Sequence, residues 1–139
     1  MDGPREKSAG AAQGVTTVAV VEPDVLVRMV IAEYLRECGY RVIEAAQGED
    51  VLAMIEGGVR IDIVFAEIRM SGTLDGFALA SRIRSGYPGV DVILTTGIAN
   101  AAGKAGDLCE AGPLEKPYHP AEVVRRINIL REQRRMIKE

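Results

Sequence analysis

Cysteine is scarce in this chain: two among 139 residues, Cys38 and Cys109, with no CxxC spacing. That distribution gives little support to a metal or thiol redox centre, and the expectation is two reduced thiols with Cys38 in the core. Histidine is scarcer. The single one, His119, precedes Pro120, where an exposed residue at the start of a helix is expected rather than a ligand or phosphodonor. No apolar stretch approaches the roughly 20 residues of a membrane span. The amino terminus lacks the apolar centre of a secretory signal, so a cytoplasmic protein is expected. Neither sign of charge dominates: 17 Lys and Arg against 20 Asp and Glu, net -3, give no global pull toward nucleic acid or anionic membrane. No glycine-rich loop follows the first predicted strand, which argues against dinucleotide or P-loop nucleotide binding.

What is present is ordinary for one soluble domain: 47% hydrophobic and 27% charged residues. Residues 1–14, rich in Gly, Ala and charge without periodicity, read as a disordered leader, and 15–139 as a single domain. Apolar runs at Thr16 to Val21, Tyr40 to Ala45, Ile61 to Ala66 and Val90 to Thr96 predict buried strands, with a brief fifth at Pro113-Leu114-Glu115. Between them, helical spacing predicts helices over Val25 to Cys38, with Asp24 as N-cap, over Gly48 to Glu56, and over Leu74 to Ser85, with Phe77, Ala80 and Ile83 on one face. Ile98 to Gly112 is Ala- and Gly-rich and predicts only a short or frayed helix, since Gly103 and Gly106 weaken it by roughly 1 kcal/mol each. The last helix starts at Pro120, with Val123, Ile127, Leu130 and Ile137 along one stripe and Arg125, Arg126, Arg131, Arg134, Arg135 and Lys138 around the rest. Alternating strands and helices imply a doubly wound α/β fold with a five-stranded parallel sheet.

In such a sheet the carboxyl ends of the strands share one rim, where ligands collect. This rim receives Glu22, Glu67, Thr96 and Lys116 from the ends of the first, third, fourth and fifth strands. Two carboxylates, a hydroxyl and an ammonium are the parts of a phosphate or metal site.

The stretches Val20-Val21-Glu22-Pro23-Asp24, Asp62-Ile63-Val64-Phe65-Ala66-Glu67, Asp75-Gly76, Val92-Ile93-Leu94-Thr95-Thr96-Gly97 and Glu115-Lys116-Pro117-Tyr118 resemble the receiver domain of bacterial two-component response regulators. The resemblance runs from about Thr16 to Leu130 and implies a flavodoxin-like fold with strand order 2-1-3-4-5. It implies a signalling module of a phosphorelay, not an enzyme, in which an aspartate ending the third strand accepts a phosphoryl group from a histidine kinase, with Mg²⁺ held by that aspartate and an acidic pair. Carried over, Glu67 stands at the phosphoacceptor position and Thr96 and Lys116 at the phosphoryl pocket. Glu22, Glu67 and the main-chain carbonyl of Arg69 stand at a Mg²⁺ site that is weak or lost. A cis Lys116-Pro117 peptide is implied as well.

Several departures from the pattern set this chain apart. Glu67 replaces the aspartate, and its extra methylene displaces the reacting atom by a distance that can cost about a hundredfold in rate. Pro23 replaces the second acid. Pro113 stands where the aromatic switch residue belongs, without a ring to swing. Ser71 replaces a usual proline, and Gly72-Thr73 lengthen the loop, which loosens the rim. Glu67 either imitates the phosphorylated state in part or forms an ion pair with Lys116 beside Thr96. The expectation is an atypical, stand-alone receiver that binds protein partners, a histidine kinase or an output protein, largely without phosphorylation. The alternative is a working phosphoacceptor that uses Glu67 with Mg²⁺ and dephosphorylates itself. The basic last helix suggests a solvated face or a docking surface for an acidic partner. A weak homodimer through the Ile137 stripe is compatible with the sequence, and nucleic acid is not expected, since no recognition motif or aromatic interleaving accompanies the charge.

Overall fold

The computed structural model describes residues 14–70, 72–111 and 120–138. Strands β1 (Thr17–Val21), β2 (Arg41–Ala45), β3 (Ile63–Glu67) and β4 (Asp91–Thr95) form a parallel sheet in the order β2-β1-β3-β4. The helices are α1 (Val25–Glu37), α2 (Gly48–Glu56), α3 (Gly76–Gly86), α4 (Gly97–Ala111) and α5 (Pro120–Lys138). This is the expected doubly wound, flavodoxin-like architecture. The fifth strand at 113–115, the Pro113 switch position, Lys116, the Lys116-Pro117 peptide, His119 and the leader up to residue 13 lie outside the described residues.

Successive side chains of a strand point to opposite faces, so the central strands feed two cores. Val18, Val20 and Phe65 face a layer made by α1, α4 and α5, with Ile31, Leu35, Ala102, Val123 and Ile127 buried there. Ala19, Val21, Val64 and Ala66 face α2 and α3, which contribute Val51, Leu52, Leu79 and Ile83. Just ahead of β3, the buried Asp62 accepts the Thr17 N–H at 2.9 Å and anchors the start of β1. Among the described residues no helix is long and apolar enough to cross a membrane.

Three expectations are corrected. Phe77 does not face the core: it is 61% exposed, and Leu79 takes its place beside Ala80 and Ile83. The reason lies at Gly76, whose missing Cβ would meet Ile68 Cα at 2.6 Å. That approach turns the 76, 79, 80, 83 stripe inward and Phe77 out. Second, α4 is a full helix of 15 residues rather than a frayed one. Its small residues, costly in isolation, permit close approach: a Cβ at Gly106 would meet Pro120 Cγ at 2.8 Å, while Ala101, Ala102 and Ala105 are buried against α1 and α5. Third, the cysteines are not two thiols. Cys38, the C-cap of α1, is fully buried as expected, but it is bonded to Cys109 of α4, with the Cα atoms 5.5 Å apart across a sequence separation of 71. Nothing local signals such a pairing. After Gly72, Thr73 is tied to α2. The Glu49 carboxylate of α2 accepts the Thr73 N–H at 3.0 Å and also the Thr73 hydroxyl, and that hydroxyl is the main reason the Glu49 carboxyl lies below its ordinary range.

Candidate functional site at the carboxyl rim of the sheet

Parallel register brings Glu67 of β3 opposite Thr95 of β4, and Ile68 N–H continues the ladder to Thr95 O at 2.8 Å. The Glu67 side chain is half-buried, and both of its oxygens are engaged. Oε2 accepts from Arg69 N at 3.2 Å and Oε1 from Gly97 N at 3.2 Å. Gly97 is the first residue of α4, so the carboxylate sits at a helix amino terminus, where unpaired N–H groups and the helix dipole favour negative charge. The φ of Gly97 is +85°, a conformation that side-chain-bearing residues rarely adopt, so the glycine is what lets the chain turn there.

Thr96 lies exposed between them and donates its N–H to Asn100 Oδ1 at 2.9 Å. Its neighbour Thr95 is buried and its hydroxyl donates to Ala66 O at 3.4 Å, so of the two adjacent threonines Thr96 is the one that faces solvent at the rim.

From the end of β1, Glu22 accepts the Asp24 N–H on Oε2 at 2.9 Å, and its carbonyl accepts from Arg28 Nη1 at 2.8 Å. Burial raises the Glu22 carboxyl above its ordinary value of 4.5; the Asp24 N–H opposes the shift, and the charges of Glu67 and Asp24 add to it. The rim therefore brings Glu22 and Glu67 close enough to repel. Asp24 caps α1 as expected, with Oδ1 accepting from Leu26 N at 2.9 Å and Val27 N at 3.3 Å. Its Oδ2 pairs with Arg131 of α5.

A pH dependence follows from Glu22. Between 4.5 and the raised folded value the folded chain keeps a proton that the unfolded chain has released, so this group's contribution to stability falls as pH rises through that window and stays low above it. Glu22→Gln keeps an acceptor for the Asp24 N–H and removes the buried charge. Its denaturant midpoint is expected above that of the wild type at pH 7, with the gap closing below pH 4.5. A variant less stable than the wild type at pH 7 would contradict this assignment.

Sequence reasoning missed the parts that come from far along the chain: Gly97 and Asn100 at the start of α4, and Arg131, which it counted with a solvated basic face. Much of that face is paired. Arg126 meets Glu33 of α1 at 2.9 Å, and Arg125 and Arg135 pair with Glu122 and Glu132 on α5 itself. Exposed pairs of this kind contribute about 0 to 1 kcal/mol each. The side chain of Ile137 lies outside the described residues.

The family model described as the response regulator receiver domain matches residues 18–128. The uncharacterised transcriptional regulatory protein YbdJ of Bacillus subtilis is 28% identical over 117 residues, 83% of this chain and 50% of YbdJ. The sensor kinase CckA of Brucella abortus is 36% identical over 90 residues, 64% of this chain and 9% of the kinase. This chain thus spans half or less of the length of these relatives. In fold it is similar to a response regulator receiver domain protein from Clostridium thermocellum, with TM-score 0.56 and 20% identity, covering 88% of this chain and 99% of that one. With its motifs in order along β1, β3 and β4 and the family match over most of its length, the chain belongs to the response regulator receiver domain family.

Proposed function

We propose that this receiver domain of two-component signalling is a protein-binding module that works largely without phosphorylation. The observation that carries the reading is that both Glu67 oxygens are engaged, Oε2 by the Arg69 N–H and Oε1 by the Gly97 N–H at the amino terminus of α4. An aspartate, one methylene shorter, would stand further back from the Gly97 N–H. Glu67 thus supplies by itself the negative charge at the α4 amino terminus, although with one charge and two oxygens against the roughly -1.5 to -2 and three oxygens of a phosphoryl group.

The residues in place are a poor fit to the Mg²⁺ ion that receiver domains commonly bind. Glu22 Oε2 is taken by the Asp24 N–H, Asp24 by its cap and by Arg131, Glu67 by two N–H groups, and Pro23 offers no side-chain oxygen. Among the described residues no three His, Cys, Asp or Glu side chains stand together as a metal-holding group. Mg²⁺ demands near-octahedral oxygen ligands, and here most of the candidate carboxylate oxygens already accept from the chain's own donors. The main-chain carbonyl of Arg69 alone adds a neutral ligand. Partners in this reading are proteins, a histidine kinase or an output protein in the cytoplasm.

Intact-mass measurement after incubation with acetyl phosphate and Mg²⁺ tests the reading on the wild type and on a Glu67→Asp, Pro23→Asp double variant. The expected result is a phosphoryl mass on the variant alone. Stoichiometric labelling of the wild type would overturn the proposal in favour of the alternative, a working phosphoacceptor at Glu67 with Mg²⁺-dependent loss of the group.

A further inference from the structure

Helix α4 is held at both ends by groups outside itself. At its amino end the Gly97 N–H sits on Glu67 Oε1. Near its carboxyl end the Tyr40 hydroxyl donates to Leu108 O at 2.7 Å, and Cys109 is bonded to Cys38. Between these ends its fully buried residues are small: Ala101, Ala102 and Ala105, with Gly106 pressed against Pro120, while its larger Ile98 and Leu108 are only partly buried against the same core. Three buried methyl side chains retain a helix far less firmly than three leucines do, because burial energy scales with apolar area. Gly103 and Gly106 lower its intrinsic helicity as well. The covalent link is therefore the strongest single tether of α4, and it joins α4 to α1, the helix that Asp24 caps at the rim.

We propose that the Cys38–Cys109 bond is a reversible redox clamp on α4, opened by exchange with a dithiol reductant, and that its state governs how firmly the α4 amino terminus is held on Glu67. In the exchange a reductant thiolate attacks one sulfur and the other leaves as a thiolate. The second reductant thiol then displaces the mixed disulfide. The reductant closes to its own disulfide, and Cys38 and Cys109 take up two electrons and two protons. Neither sulfur is open to attack in the closed state, since Cys38 is 0% and Cys109 4% exposed. Exchange proceeds through local opening of α4, whose fully buried side chains are small, without global unfolding. A bond of this kind persists in oxidising surroundings and is transient in reducing ones, which makes it a sensor of the difference.

The test is hydrogen exchange by mass spectrometry on the full chain, oxidised and after native treatment with dithiothreitol, beside a Cys38→Ala, Cys109→Ala double variant. Reduction is expected to speed exchange in peptides of α4, reaching to Gly97, at least tenfold, with β1 and β3 unchanged. The double variant should exchange like the reduced wild type with or without the reductant. Three results would each overturn the clamp: a bond that dithiothreitol cleaves only in denaturant, α4 exchange equal in the two redox states, or protection lost across β1 and β3 together with α4. None depends on whether Glu67 accepts a phosphoryl group, so this proposal and the phosphorylation-independent reading fail separately.

Discussion

Reduction of the Cys38–Cys109 bond is expected to lower the free energy of unfolding by about 4 kcal/mol, the entropy that cross-linking residues 71 apart removes from the unfolded chain. Against a total of about 5 to 15 kcal/mol for a domain, this is a large share, and for a chain of this size it corresponds to a fall in Tm of about 15 °C. Reduction is the cleaner experiment, because Cys38→Ala also leaves a small cavity at a fully buried position. The dependence of free energy on denaturant should steepen as well, since an unfolded chain released from its cross-link exposes more surface. Paired urea titrations with and without dithiothreitol measure both quantities, and the double alanine variant should show no response to the reductant. Superimposable curves for the oxidised and reduced wild type would mean that the bond contributes nothing to stability.

Alanine at Gly76 is expected to cost about 2 to 3 kcal/mol, near the upper end of ordinary overpacking. Its Cβ would lie 2.6 Å from Ile68 Cα and 2.8 Å from Glu67 O, and backbone atoms cannot rotate out of the way. Either α3 moves off the sheet, breaking the Gly76 N–H bond to Ile68 O at 2.8 Å, or the chain after Glu67 shifts and carries the rim carboxylate with it. The same substitution at Gly103, mid-helix in α4 with no atom within 4 Å of the added Cβ, is expected to stabilise by about 1 kcal/mol, because only helix propensity changes. Opposite signs for one chemical change at two glycines, read from denaturant midpoints, separate steric contact from backbone propensity. A neutral or stabilising Gly76→Ala would refute the close approach of α3 to the strand end.

Charge pairing across α1 and α5 bears on the basic helix. Arg126 and Arg131 reach Glu33 and Asp24, so part of the positive charge that marks the carboxyl-terminal sequence is turned to holding α5 against α1. The exposed Phe77, close after the Glu67 strand end, is the large apolar side chain most open to solvent on α3.

Local pattern carried a good deal. Short apolar runs bounded by acids or glycines located β1 to β4 to within a residue or two, the span Gly48–Glu56 was legible at both ends, and Asp24 was legible as a cap, because each of these depends on neighbours in the chain. Motif order along the same strands sufficed to recognise the family and to mark Glu22, Glu67 and Thr96 as rim residues, since a parallel sheet necessarily gathers its strand ends. What only the tertiary structure decided is set by residues far apart in sequence. The azimuth of α3 depends on backbone contact at Gly76, and the persistence of α4 on what its glycines and alanines allow to come near. The partners of Glu67 depend on where α4 starts, the second role of Asp24 on an arginine 107 positions later, and the oxidation state of two cysteines on a packing between α1 and α4. The physical reason is the same in each case: hydrophobic period and capping act over a turn or two of chain, while steric approach, ion pairing and cross-linking act through space and leave no period in the sequence.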